Sequence, residues 1–268
     1  MNKLKISQIQ FQAKATPDLN AKLLKKYFEK TLKFKPDLIC TPECSNIITS
    51  DKKHLFKYAT IQKDCPLIFE AKKFARLHNV NIHLGSLLLK IENKKKLVNR
   101  SILINQSGKI KIIYDKIHLF DVNINTIETH RESDSFINGK DLILSSISGI
   151  KIGFTICYDL RFPMLYRNLT KKGAQIIMIP SAFTIPTGKA HWQTLVKARA
   201  IENSLFVVAT NMCGVHHSKR KTYGHSIICD PWGSVINKAT TKPKILNTII
   251  DLNLVKKIRN KIPAYLYD

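Results

Sequence analysis

The sequence predicts a layered α/β fold, and three observations carry that reading. Strand-like and helix-like segments alternate along most of the chain, and residues 150–179 read as a strand, a helix and a second strand. A hydrophobic content of 44% over 268 residues supplies a substantial core, with no glycine-rich linker to divide it, so residues 1–268 are read as one domain.

The elements follow in order. Lys3 to Gln10 alternates apolar and polar residues as a half-buried strand does, and Leu19 to Phe34 has helical spacing with Asp18 as its candidate N-cap. Residues 37–43, DLICTPE, form a second strand. Pro66 to His78 reads as a helix, Asn81 to Leu89 as a strand, and Leu97 to Tyr114 as a hairpin turned at Gln106-Ser107-Gly108. Lys116 to Asp141 is polar and poor in periodicity, a connection long enough to be functional.

The second half repeats the rhythm. Ile150 to Ile156 is a strand, Pro163 to Lys172 a helix closed by Gly173, and Ala174 to Ile179 the parallel partner strand. A helix from about His191 to Asn203 leads to a strand at 205–211, a hairpin turned at Pro231 and Gly233, a last strand ILNTIIDL and a short helix ended by Pro263.

Composition narrows the function classes. The net charge of +25 raises nucleic acid as a partner, because Lys and Arg displace counterions from phosphates. The lysines, however, are scattered in ones and twos with a single triple at 94–96, without aromatic interleaving or zinc-finger spacing. No specific nucleic-acid partner is expected; a basic binding protein on an inactive scaffold is the contrasting reading. No apolar run is long enough to span a membrane, and MNKLKISQIQ lacks the apolar region of a signal peptide, so a cytoplasmic location is expected. The six cysteines are scattered without a CxxC pair and are read as free thiols.

One of them stands apart. Cys157, in KIGFTICYDLRFP, follows an apolar strand and precedes the helix pattern that starts at Pro163. A thiol beside a helix N-terminus gains thiolate character from the backbone dipole, so Cys157 is a candidate nucleophile. Attack on an amide also needs a base and a cation or donors for the oxyanion. Glu43, at the end of DLICTPE, and Lys116, at the end of the strand in IIYDKIHLF, occupy comparable strand ends.

With Glu43, Lys116 and Cys157 in that order, the sequence resembles the nitrilase superfamily of carbon-nitrogen hydrolases. The blocks PSAF (180–183), TGKAHW (187–192), KARAIEN (197–203), HHSKRKTYGHS (216–226) and DPWG (230–233) are similar to its Nit branch. The resemblance implies a four-layer αββα sandwich that pairs into a homodimer or higher homo-oligomer. It implies Cys157 as nucleophile, Glu43 as general base, Lys116 as oxyanion cation and Glu132 as an acid that positions the lysine. The implied reaction is hydrolysis of a small carboxylate-bearing amide to acid and ammonia through a cysteine thioester, with deaminated glutathione ahead of α-ketoglutaramate or α-ketosuccinamate as substrate.

Arg161 has two readings, a clamp for a substrate carboxylate or an ion pair with Asp159 or another acid. Phe183 and Thr187 fall where the resembling enzymes line the pocket, with core packing the alternative for Phe183. Lys189 stands where the branch usually has proline, near the expected rim. HHSKR is placed at the entrance as an attractor of acidic substrates. His191, His216, His217, His225 and Cys213 lack the paired spacing of a structural zinc site, so no metal and no cofactor are expected.

Overall fold

The computed structural model describes residues 2–123 and 129–267, and two sheets packed face to face form its centre. The first sheet contains β1 (Lys3–Gln10), β2 (Leu38–Cys40), β3 (Asn81–Lys90), β4 (Leu97–Ile104), β5 (Ile110–Asp115), the short β8 (Phe136–Ile137) and β17 (Lys244–Asp251). Its order is β17-β1-β2-β3-β4-β5, with β8 added to β4. The second contains β9 (Leu144–Ile147), β10 (Ile150–Phe154), β11 (Ile176–Met178), β12 (Phe206–Ala209), β15 (Ile227–Cys229) and β16 (Val235–Lys238), in the order β16-β15-β12-β11-β10-β9. Two small hairpins stand outside them: β6 (Asp121–Asn123) with β7 (Thr129–Arg131), and β13 (Cys213–Val215) with β14 (Lys221–Tyr223).

Side chains alternate across each strand, so a strand in the middle of four layers has two buried faces. Leu4, Ile6, Leu38 and Tyr114 of the first sheet share a core with Ile152, Phe154 and Ile177 of the second. On the first sheet's other face, Ile9, Ile39 and Ile82 pack with Leu24 and Phe28 of α1 (Pro17–Thr31) and Phe74 of α3 (Pro66–His78). The second sheet's outer face is covered by α4 (Pro163–Lys171) and α6 (Gln193–Asn203), with α7 (Asn253–Lys261) following β17. The result is an αββα sandwich, as expected.

Several local expectations change. β1 is not half-buried: it lies between β17 and β2, and its polar residues find partners inside the protein. Ser7 donates to Asn247 at 2.7 Å, and Gln10 donates to the carbonyls of Thr240 and Lys242 at 2.7 Å each. The first helix starts earlier, at Pro17, where a fixed φ suits the first helical position; Asp18 lies inside the first turn and Thr16 is the cap residue. α2 (Lys52–Tyr58) has no counterpart in the sequence reading, and Asp51 caps it by accepting from the His54 amide at 3.1 Å. The loose stretch 116–141 contains β6, β7 and β8 among its described residues, while residues 124–128 of it lie outside them.

The parallel β10-α4-β11 unit forms as read, closed by Gly173 at φ +97. Gly85 has a different task. A Cβ there would come within 2.0 Å of the Thr41 carbonyl oxygen and 2.4 Å of Pro180, so only glycine lets the ends of β2 and β11 come this close. Among the described residues no helix is long and apolar enough to cross a membrane.

Candidate active site

Glu43, Lys116 and Cys157 meet at one end of the sandwich, in a cavity of about 270 Å³. The first sheet delivers Glu43 just beyond β2 and Lys116 just beyond β5, and the second delivers Cys157 just beyond β10. Each is almost enclosed, with 4%, 2% and 9% of its surface exposed.

The turn carrying Glu43 is held by its own hydroxyls. Ser45 donates to the Pro42 carbonyl at 2.6 Å, the Gly85 amide donates to Thr41 Oγ1 at 3.1 Å, and the Cys44 amide donates to Ser86 Oγ at 3.0 Å. Cys44 is left-handed at φ +58. Cys157 is left-handed too, at φ +47, a conformation costing a non-glycine residue about 1–2 kcal/mol. Its amide donates to the Pro180 carbonyl at 2.9 Å. The following residues Cys157–Arg161 form a single 3-10 turn anchored by Asp159, which is fully buried. Asp159 accepts from Tyr114 Oη at 2.7 Å, the Ile156 amide at 2.8 Å, and the His118 amide and Nδ1 at 3.0 and 2.7 Å.

Charges are paired through the lysine. Lys116 Nζ lies 3.0 Å from Glu43 Oε1 and 2.8 Å from Glu132 Oε2. Burial works against its charge, but the Glu132 and Glu43 carboxylates outweigh it and hold the ammonium's pKa well above the ordinary lysine range. The Phe120 amide donates to the same Glu132 oxygen, Oε2, at 2.6 Å.

The sequence reading missed Asn99 on β4. Its Nδ2 donates to Glu43 Oε1 at 2.9 Å and to Glu132 Oε1 at 3.3 Å, while its Oδ1 accepts from Ser86 Oγ. An asparagine inside the apolar strand LVNRSILI was the available signal, since a buried amide needs partners. Asn99→Ala is expected to lower kcat about ten- to a hundredfold with KM little changed, through loss of charge-assisted hydrogen bonds. Steady-state kinetics check this, and a loss confined to KM would assign Asn99 to substrate contact instead.

The thiol differs from its expected state. α4 begins only at Pro163, too far along the chain for its dipole to act directly on Cys157. Burial first, and the Glu43 carboxylate second, push the thiol's pKa well up, with Lys116 and the Ala182 amide opposing them. Burial and the neighbouring Glu43 carboxylate thus favour the neutral thiol, and deprotonating it calls for a base rather than a helix dipole.

The remaining expected residues separate. Arg161 lines the cavity but does not pair with Asp159, whose oxygens are already taken; its guanidinium lies 5.8 Å from the Tyr158 and Phe183 ring centres and 3.2 Å from His191 Nδ1. Phe183 both lines the cavity and packs on Trp192 at 4.8 Å, and Thr187 lines it with a 2.9 Å contact to Thr184. Lys189 is exposed on the π-helical turn Gly188–Trp192 and is not a lining residue. Of HHSKR, Arg220 lines the cavity; Lys219 does not. The histidines disperse: His216 bonds Thr222 at 2.8 Å, His217 contacts Thr49 at 3.1 Å and His225 contacts the Tyr223 carbonyl at 2.9 Å. Among the described residues no three potential ligands gather as a metal site.

A buried thiol sharing a cavity with a carboxylate, and an ammonium held against that carboxylate, are equipped for acyl transfer from an amide. A family model described as carbon-nitrogen hydrolase matches residues 5–260. The deaminated glutathione amidase of Dictyostelium discoideum is 38% identical over 277 residues, covering 99% of this chain and 94% of that protein. The crystal structure of NitFhit from Caenorhabditis elegans superimposes with a TM-score of 0.93 at 33% identity, covering 100% of this chain and 65% of that one. That of Nit3 from Saccharomyces cerevisiae, a member of branch 10 of the nitrilase superfamily, does so with a TM-score of 0.88 at 26% identity, covering 98% and 95%. This chain belongs to the carbon-nitrogen hydrolase family. It is a hydrolase of non-peptide amide bonds built on the nitrilase-type sandwich.

Proposed function

We propose that the protein is an amidase that cleaves deaminated glutathione through a thioester on Cys157. The observation that carries this reading is the convergence of Glu43, Lys116 and Cys157 on one enclosed cavity, with the Lys116 ammonium 3.0 Å from the Glu43 carboxylate. Glu43 accepts the thiol proton as sulfur attacks the amide carbonyl. Lys116, with backbone amides near the thiol, stabilises the oxyanion. Glu132 positions Lys116. Glu43 then gives its proton to the departing amine, and afterwards takes one from the water that releases the acid.

Substrate identity fixes the leaving group and corrects one expectation. The scissile nitrogen of deaminated glutathione carries cysteinylglycine, so that dipeptide leaves; ammonia would leave only from a primary amide such as α-ketoglutaramate. Support for the substrate comes from the relatives that bear its name and from an acyl-side cation, Arg161, beside the thiol. Thr187 and Phe183 complete the acyl pocket in this proposal.

Pairing of two chains and a cytoplasmic location complete it. Pairing is supported by exposed Met164, Ile201, Leu266 and Tyr267 on neighbouring elements, and the location by six unpaired cysteines. The test is incubation with deaminated glutathione and α-ketoglutaramate, following 2-oxo acid and amine release, with acid-quenched mass spectrometry for the acylated Cys157 peptide. Faster turnover of deaminated glutathione and an acyl adduct on Cys157 are expected; turnover of neither would sink the reading.

A further inference from the structure

Three guanidiniums line the cavity, and that of the exposed Arg131 donates to the His130 carbonyl and Asn123 Oδ1. Arg161 follows Cys157 and Tyr158 in the chain, and its guanidinium faces the Tyr158 and Phe183 rings. Arg220 belongs to the loop held against the residues that continue the chain from Glu43, of which Cys44, Thr49 and Ser50 also line the cavity. Its charge reaches Cys44, where it opposes the burial and the Glu43 carboxylate that push that thiol's pKa up.

The two loops are clamped together. Thr49 Oγ1 contacts His217 Nδ1 at 3.1 Å and Ser218 Oγ at 2.9 Å, the Ser50 amide donates to Ser218 Oγ at 2.8 Å, and His217 stacks on His54 at 3.8 Å. Ser218 and Lys219 are consecutive left-handed residues, at φ +56 and +60, so the backbone leading into Arg220 is held in a costly shape. Yet nothing described neutralises that arginine. Lys52 in the same cavity is taken by Asp134 at 3.0 Å, whereas among the described residues no carboxylate pairs with Arg220. A half-buried, rigidly mounted and unpaired guanidinium is prepared for an incoming anion.

The direction of the reaction says which anion. In the proposed mechanism Glu43 protonates the departing amine, which puts the amine portion on the Glu43 side, toward the loop that carries Arg220, while the acyl portion remains with Cys157 and Arg161. We propose that Arg220 binds a carboxylate on the amine portion of the substrate, and so selects amides whose leaving group is an amino acid or short peptide with a free C-terminus. This rests on the amidase reading and deepens it: one guanidinium for each half of a substrate charged at both ends.

The test compares deaminated glutathione with its C-terminal glycinamide, which lacks only the amine-side charge. The wild-type protein is expected to prefer the acid about 10- to 100-fold in kcat/KM, mostly through KM. Arg220→Gln is expected to collapse that preference toward one, and Arg220→Lys to restore part of it. Equal wild-type turnover of acid and amide, or a preference that survives Arg220→Gln, overturns the assignment. Absence of wild-type turnover on both compounds is a different result: it removes the amidase reading, and this inference with it. Because the wild-type comparison needs no variant, a misfolded substitution cannot mask the answer.

Discussion

Cys157→Ala is expected to lower turnover on the order of 10⁴-fold or more while leaving the fold and substrate affinity nearly intact. The expectation follows from what the thiol is surrounded by. Burial and Glu43 favour its neutral form, so in the proposed mechanism attack needs a proton transfer to Glu43. Cys44 lines the same cavity, but burial and Glu43 push its thiol well up as well, and its amide donates to Ser86 Oγ at 3.0 Å. Alanine keeps the Cβ at a left-handed position, so no new backbone strain arises, and thermal unfolding should shift by only a few degrees. Turnover within about tenfold of wild type, in a preparation free of other amidases, would remove Cys157 from the mechanism.

Lys116→Met is expected to damage activity and stability together. The ammonium is the sole positive group described between Glu43 and Glu132, at 3.0 and 2.8 Å, and removing one member of a buried ionic set costs about 3–5 kcal/mol. Turnover should fall at least about 10²- to 10³-fold, the scale of losing one oxyanion donor. The pH dependence has a definite sign. Without the cation, the buried Glu43 and the partly buried Glu132 carboxylates face each other through Asn99, and uptake of a proton relieves the repulsion. Protonation that favours the folded state is available at low pH and lost as pH rises, so the variant should gain unfolding temperature from about pH 8 to about pH 5. In the wild-type protein the Lys116 pKa is raised in the folded state, so its contribution is full throughout that window and is lost only in strong alkali. A variant with wild-type stability at neutral pH would mean that the carboxylates are solvated rather than enclosed.

Legibility in the sequence followed the range of the interactions concerned. Leu97–Ile104 and Ile110–Asp115 were visible as a hairpin because alternation and a turn are local properties, and Pro163–Lys171 because proline and glycine mark its ends. α2 was not, since seven residues reading KKHLFKY have one buried side chain and almost no periodicity. The sequence reading carried the strands on past Cys40 to Glu43 and past Phe154 to Ile156, but there the chain leaves the ladder to present Glu43 and Cys157. Glu43, Lys116 and Cys157 could be linked by chain order and family resemblance, and HHSKR could be placed near the entrance; Asn99 could not be ranked, because its importance depends on partners 56 and 33 residues away. The same limit left Arg161 between a substrate clamp and a pair with Asp159, whose oxygens are taken by Tyr114, the Ile156 amide and two groups of His118.

The pairing of β17 with β1 bears on how the protein is made. All eight residues of β1, from Lys3 opposite Asp251 to Gln10 opposite Lys244, find their antiparallel partners only in residues 244–251. During translation Glu43, Lys116 and Cys157 therefore emerge long before the sheet that mounts two of them has its far edge. Until β17 arrives, the β1 backbone is an open template and Ser7 lacks Asn247. The late strand is a built-in delay: a nascent chain carries the Cys157 thiol, but the sheet that mounts Glu43 and Lys116 beside it gains its far edge late.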